Sequence, residues 1–139
     1  MKPIVRCVLS GTYHKDRDGL MSVYNELVTY GCQVISPHRL NFEAEETIFV
    51  RDMAERDMSE ESIERHHLVG IKQSDFLWIH APNGYIGLST ALEIGFAIAH
   101  NIPIFSYSEL SEPIFRPFVR VVPSVFRCIE TLNLQNPAI

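Results

Sequence analysis

The chain is 139 residues long, the size of one domain. Apolar residues make up 46 % and charged residues 21 %, enough for a core and too apolar for a disordered chain. The net charge of −5 argues against a nucleic-acid partner, which calls for a basic face, but leaves room for a small anionic ligand held by local donors.

Residues 4–9 form a short apolar run rich in β-branched side chains, as a strand buried on both faces requires. The run ends at Ser10-Gly11-Thr12. Asp16 is placed to cap a helix in which Leu20, Val23, Tyr24, Leu27 and Val28 recur at helical spacing, and Gly31 supplies the stop. A second strand is expected over 32–36, closed by Pro37. Residues 38–58 carry many charges around Ile48-Phe49-Val50 and read equally as a short helix, a hairpin or a lid. Ser59 caps the next helix, with Glu60 and Glu61 at the positive end of its dipole. A third strand spans 76–81, and Pro82-Asn83-Gly84 is a turn. A helix is expected from about Thr90 to His100, then strands over 102–106 and 119–122 and a last helix from about Ser124. Strands and helices that alternate in this way predict an α/β fold, a Rossmann- or flavodoxin-like doubly wound parallel sheet of about five strands in a single domain covering 1–139.

The N-terminus lacks the apolar stretch of a signal peptide. The most apolar segment, 86–98, is broken by Ser89, Thr90 and Glu93 and is shorter than the roughly 20 residues that span a bilayer, so no membrane partner is expected. Cys7, Cys32 and Cys128 are odd in number and widely spaced, which fits neither a disulfide framework nor a zinc site. Cys7 and Cys32 read as small core residues in a cytoplasmic protein, and no cofactor or metal is expected.

In an open parallel sheet, ligands sit beyond the carboxyl ends of the strands. Ser10-Gly11-Thr12-Tyr13 lies at one such end. Its small residues admit a ligand to the backbone and its hydroxyls donate; equally, it is an ordinary tight turn. The strongest signal is Gly84-Tyr85-Ile86-Gly87-Leu88-Ser89-Thr90-Ala91-Leu92-Glu93-Ile94-Gly95-Phe96-Ala97. The helix it opens is apolar almost all round, with Leu88, Ala91, Leu92, Gly95 and Ala99 on one face, and such a helix is expected to be buried. Glu93 is its only acid. A buried carboxylate needs donors or a chemical role. Thr90-Ala91-Leu92-Glu93 also matches a capping box, in which the acid folds back onto the amide of the cap residue. Ile63, His67 and Ile71 share the inward stripe of their helix, so His67 is either a satisfied core histidine or a proton donor at the site.

The order Ser10-Gly11-Thr12, His67 with Ile71 and Ser74-Asp75, Asn83, Ser89-Thr90, and Glu93-Ile94-Gly95-Phe96-Ala97 resembles the nucleoside 2-deoxyribosyltransferase superfamily, including its deoxynucleoside-monophosphate and CMP N-glycosidases. The resemblance spans roughly residues 4–106, and the Glu-x-Gly-x-Ala helix is its most specific element. It implies a homodimer or larger homo-oligomer, a nucleoside or nucleotide as small-molecule partner, and Glu93 as a nucleophile that forms a glycosyl-enzyme. His67 stands where the family usually has an aspartate, and Gly87 where many members have an acid or a serine. Substrate contacts are expected from Ser10, Gly11, Thr12, Tyr13, Asn83, Gly87 and Ser89. The competing reading is a non-catalytic nucleotide-binding sensor or regulatory module. A phosphoribohydrolase of the lysine-decarboxylase-like group ranks last, because the paired glycines that precede its threonine are absent.

Overall fold

The computed structural model describes residues 4–13, 15–37 and 59–135; residues 38–58, read above as helix, hairpin or lid, lie outside them. Five parallel strands, β1 (Arg6–Gly11), β2 (Gln33–Ser36), β3 (Phe76–His80), β4 (Ile104–Ser106) and β5 (Val119–Val121), form one sheet in the order β2-β1-β3-β4-β5. Four α-helices flank it: α1 (Arg17–Thr29), α2 (Glu60–Lys72), α3 (Leu88–Ala99) and α4 (Val125–Gln135). This is the doubly wound α/β sheet expected from the alternation of elements. The central strand, β3, is buried along its whole length, as a parallel strand covered on both faces must be.

Side chains alternate across the strands and so divide the core in two. Cys7 and Leu9 of β1 and Phe76 and Trp78 of β3 join Leu20, Val23 and Leu27 of α1 and Val125, Cys128 and Leu132 of α4. Val8, Leu77 and Ile79 point the other way and pack with Ile71 of α2 and Ile94 and Ala97 of α3. All three cysteines are buried free thiols. The same alternation sends Ser10, two residues after Val8, toward α2 and α3.

The helix ends follow local rules. Asp16 accepts from the Gly19 amide at 3.2 Å and caps α1. Gly31, at φ +85°, ends α1 in a Schellman motif, with Cys32 N–H on the Leu27 carbonyl at 3.0 Å and Gly31 N–H on that of Val28 at 2.9 Å. Ser59 accepts from the Ser62 amide at 3.1 Å and caps α2. Asp75, at the amino end of β3, pairs in both directions with the backbone of Arg6, at 2.8 Å each way, and is a connector far from the carboxyl edge.

Two expectations for α3 are corrected. The helix begins at Leu88 with Gly87 as its N-cap, two residues before Thr90, so Thr90 is not a cap and no capping box forms. Nor is the helix buried all round. Its inward face is Thr90, Glu93, Ile94 and Ala97, whereas Leu88 is 92 % and Leu92 54 % exposed.

Candidate active site

Strand order reverses between β1 and β3, whose next strands lie on opposite sides. The crevice of such a sheet opens beyond their carboxyl ends. There the chain runs in close contact with itself. Gly11 is opposite His80, and the Thr12 amide donates to the His80 carbonyl at 3.0 Å. Gly11 has φ +133°, and a Cβ on it would lie 2.0 Å from the His80 oxygen, so only glycine fits. Thr12 Oγ1 donates to the Tyr85 carbonyl at 3.3 Å, tying the β1 turn to the segment that leads into α3. Lys15 Nζ sits 3.7 Å above the Tyr85 ring.

Glu93 lies in the second turn of α3, on its inward face, and is 6 % exposed. Among the described residues no backbone amide donates to its carboxylate. Ser10 Oγ donates to Oε1 at 3.2 Å, and Ser89 Oγ, one turn earlier on the same helix, lies 3.4 Å from Oε2. The Ser89 hydroxyl is also bonded to Oε1 of Glu64, from α2. Two carboxyls thus meet through one hydroxyl, which limits their separation to about two hydrogen-bond lengths, at most roughly 6 Å. Burial pushes the Glu93 carboxyl up to about 8, the charge of Glu64 adds to this, and the Ser10 and Ser89 hydroxyls oppose it. Burial likewise pushes Glu64 up, against the pull of Ser89.

The structure therefore brings together Ser10, Ser89 and Glu93 from among the expected residues and adds Glu64. Gly11 and Thr12 shape the floor beside them. Gly87 starts α3 and accepts from the Ala91 amide at 3.1 Å. His67 is buried on the inward stripe of α2, as its spacing predicts, with Nδ1 against Ser36 Oγ at the end of β2. The Tyr13 hydroxyl donates back to the Leu9 carbonyl, and its ring packs on the α1–α4 core. Asn83 sits exposed in a left-handed turn at φ 57°, and its carbonyl accepts from Ser111 Oγ at 3.3 Å. Glu64 escaped the sequence reading because Ile63-Glu64-Arg65-His66 looks like the edge of an amphipathic helix. The available signal was its position three residues before His67, beside the inward stripe. A His80–Asp16 contact at 3.2 Å also lies at this edge, between the end of β3 and the start of α1.

In sequence the chain matches no family model and no curated protein. In structure it is similar to the CMP N-glycosidase BcmB of Clostridium botulinum, at a TM-score of 0.57 and 16 % identity, over 94 % of this chain and 98 % of that one. The two share a fold. Among the described residues no helix is long and apolar enough to cross a membrane.

What the arrangement can do follows from its parts. One carboxyl is deeply buried and presented by two hydroxyls from different elements. A second carboxyl lies within roughly 6 Å of it, near the roughly 5 Å spacing at which paired acids perform retaining glycosyl transfer.

Proposed function

We propose that this protein cleaves or transfers the N-glycosidic bond of a nucleoside or nucleotide, with Glu93 as the nucleophile. The observation that carries the reading is the setting of the Glu93 carboxylate. It lies at the crevice where strand order reverses, and the hydroxyls of Ser10 and Ser89 hold it. Hydroxyl donors can rotate to another acceptor when a sugar arrives, whereas amides of a capped helix cannot. The fold shared with a CMP N-glycosidase and the Glu-x-Gly-x-Ala helix support the same chemistry.

In this reading Glu93 attacks the anomeric carbon as the base departs through an oxocarbenium-like state. A glycosyl-enzyme forms, and water or a second base resolves it. Desolvation strengthens the carboxylate as a nucleophile once a cationic sugar centre faces it. Gly11 and Thr12 let the substrate approach the sheet edge, with Asn83, Tyr13 and Gly87 in the surrounding turns. The homodimer implied by the resemblance belongs to the proposal, and Leu88 and Leu92 are the uncovered apolar surface beside the site. An unchanged sedimentation coefficient in Leu92→Glu would remove that part.

The test is a chromatographic screen of ribo- and deoxyribonucleosides and their monophosphates for released base, with Glu93→Gln alongside. Base release by the native protein, falling about 1000-fold or more in the variant, is the expected result. Equal turnover in the two proteins excludes Glu93 as nucleophile. The second reading, a nucleotide-binding module, is favoured by His67, whose Nδ1 lies against Ser36 where the resembled family has an acid. It predicts ligand-dependent stabilisation, about 2.7 kcal/mol at 100 times Kd, without product.

A further inference from the structure

Ser89 stands between two carboxyls, and a hydroxyl carries a single hydrogen. Its Oγ contacts Oε1 of Glu64 and lies 3.4 Å from Oε2 of Glu93. It can donate to only one of them. The other contact is a hydrogen bond only if that carboxyl brings its own proton. Glu93 already receives the hydroxyl of Ser10 on its other oxygen, so it is the carboxyl placed to accept two donors, as an ionised nucleophile does. When Glu93 is so ionised, Glu64 is the carboxyl that holds the proton of the pair. The surroundings of Glu64 agree. Its second oxygen, Oε2, is sealed from solvent and has no hydrogen-bond partner among the described residues, a setting that disfavours the ionised form.

We infer that Glu64 is the general acid of this site, the residue that hands a proton to the departing base, with Ser89 fixing it opposite Glu93. The inference rests on the glycosyl reading above and deepens it. In the first half-reaction an Oε atom of Glu93 bonds to the anomeric carbon and the bond from that carbon to the base nitrogen breaks. The electron pair of that bond stays on the base, which takes the carboxylic proton of Glu64. In the second, Glu64, now ionised, takes a proton from the incoming water. The water oxygen bonds to the anomeric carbon, and the bond to Glu93 breaks with its electron pair returning to the carboxylate. Both groups end as they began. Burial raises both carboxyls, and the charge of Glu64 raises Glu93 further, so near neutral pH Glu93 keeps its proton in the empty site, and ionising it for attack moves that proton through the Ser89 hydroxyl to Glu64. His67 is not needed as the acid.

The rival role for Glu64 is a clamp between α2 and α3 through Ser89. Leaving-group dependence separates the two. Nucleoside 5′-monophosphates need a proton on the departing base, whereas the matching 4-nitrophenyl ribofuranoside 5′-phosphates release a phenolate that needs none. Glu64→Gln keeps an N–H donor toward Ser89 and removes the transferable proton. Its kcat/KM is expected to fall 100- to 10,000-fold on the nucleotides and less than tenfold on the nitrophenyl substrates. Ser89→Ala should show the same contrast more weakly. Should Glu64→Gln prove unstable, Glu64→Asp is the control, and it should recover part of the nucleotide cleavage lost in the amide. Equal losses on both substrate sets, or no loss on either, overturn Glu64 as the acid. Glu93→Gln should abolish cleavage of both sets; if it does not, or if the native protein cleaves neither, the glycosyl reading itself falls.

Discussion

The two faces of the sheet are built on different terms. Under α1 and α4 the core is apolar throughout, and the one acid that reaches inward from α1 has complementary donors. Glu26 accepts the Val125 amide at 3.3 Å and the Tyr107 hydroxyl, and so joins α1 to the start of α4. Under α2 and α3 the core is apolar until the carboxyl edge, where Glu93 meets Ser10, Ser89 and a second carboxyl. One carboxyl is spent on backbone and phenol donors that stabilise it. The other is buried beside a like charge, with donors too few to keep its affinity for protons low. Local rules that are kept on one face and broken on the other mark where stability has been exchanged for chemistry.

The largest effect should come from breaking the face that obeys the rules. Leu20 is fully buried in the α1–α4 core. Leu20→Ala removes three carbons and leaves a cavity, at a cost of about 2–5 kcal/mol, which chemical denaturation will measure. Any ligand affinity or turnover should survive in the folded fraction, because this face carries neither carboxyl of the site.

Glu93→Gln should do the reverse. Glu93 holds its proton more tightly in the folded chain, up to about 8, than at the ordinary 4.5 of the unfolded one. Between those values the native state keeps a proton that the unfolded state has lost, so stability falls as pH rises from 4.5 to 8 and is level above. Glu64 on α2 is the charged group that faces it, and Ser10 on β1 and Ser89 on α3 are its donors. The amide does not titrate. The variant should therefore match the native protein near pH 4.5 and exceed it at pH 9, by on the order of a few kcal/mol. Thermal melts across that range decide it; a variant less stable at pH 9 would mean that the carboxylate is a structural anchor.

How much of this contrast was visible beforehand depends on where each signal lies. Strands buried on both faces show as unbroken apolar runs, so β1, β3 and β4 were readable to within two residues at each end. Glu93 stood out because it is a lone acid in a greasy helix. The start of α3 was misplaced because Gly87 caps it without a side chain, while Thr90 and Glu93 imitate a capping box inside the helix. Burial of α3 was overestimated because hydropathy cannot tell a covered face from the open one of Leu88 and Leu92. Glu64 was invisible because its partner lies 25 positions along the chain, on another element.

Glu26→Gln tests the satisfied carboxyl at smaller scale. The amide can still accept from Val125 or Tyr107 but loses the charge at the start of α4, where the helix dipole favours it. A loss of about 1 kcal/mol is expected at pH 7.

Ser10→Ala is the finest probe, because it changes one donor and no packing of consequence. With Glu93 neutral, the variant gives up an ordinary buried hydrogen bond, about 1 kcal/mol. With Glu93 ionised it gives up a bond to a charge, which costs more, so the variant should be more destabilised at pH 9 than at pH 5. The hydroxyl lowers the affinity of Glu93 for protons, and without it the pH at which the carboxylate forms must rise, carrying the acidic limb of kcat/KM upward. Placed on a Glu93→Gln background, Ser10→Ala should lose this pH dependence entirely, because no charge is left to support. If the pH dependence persists in the double variant, the hydroxyl serves some group other than Glu93, and the assignment of Ser10 to the nucleophile is wrong.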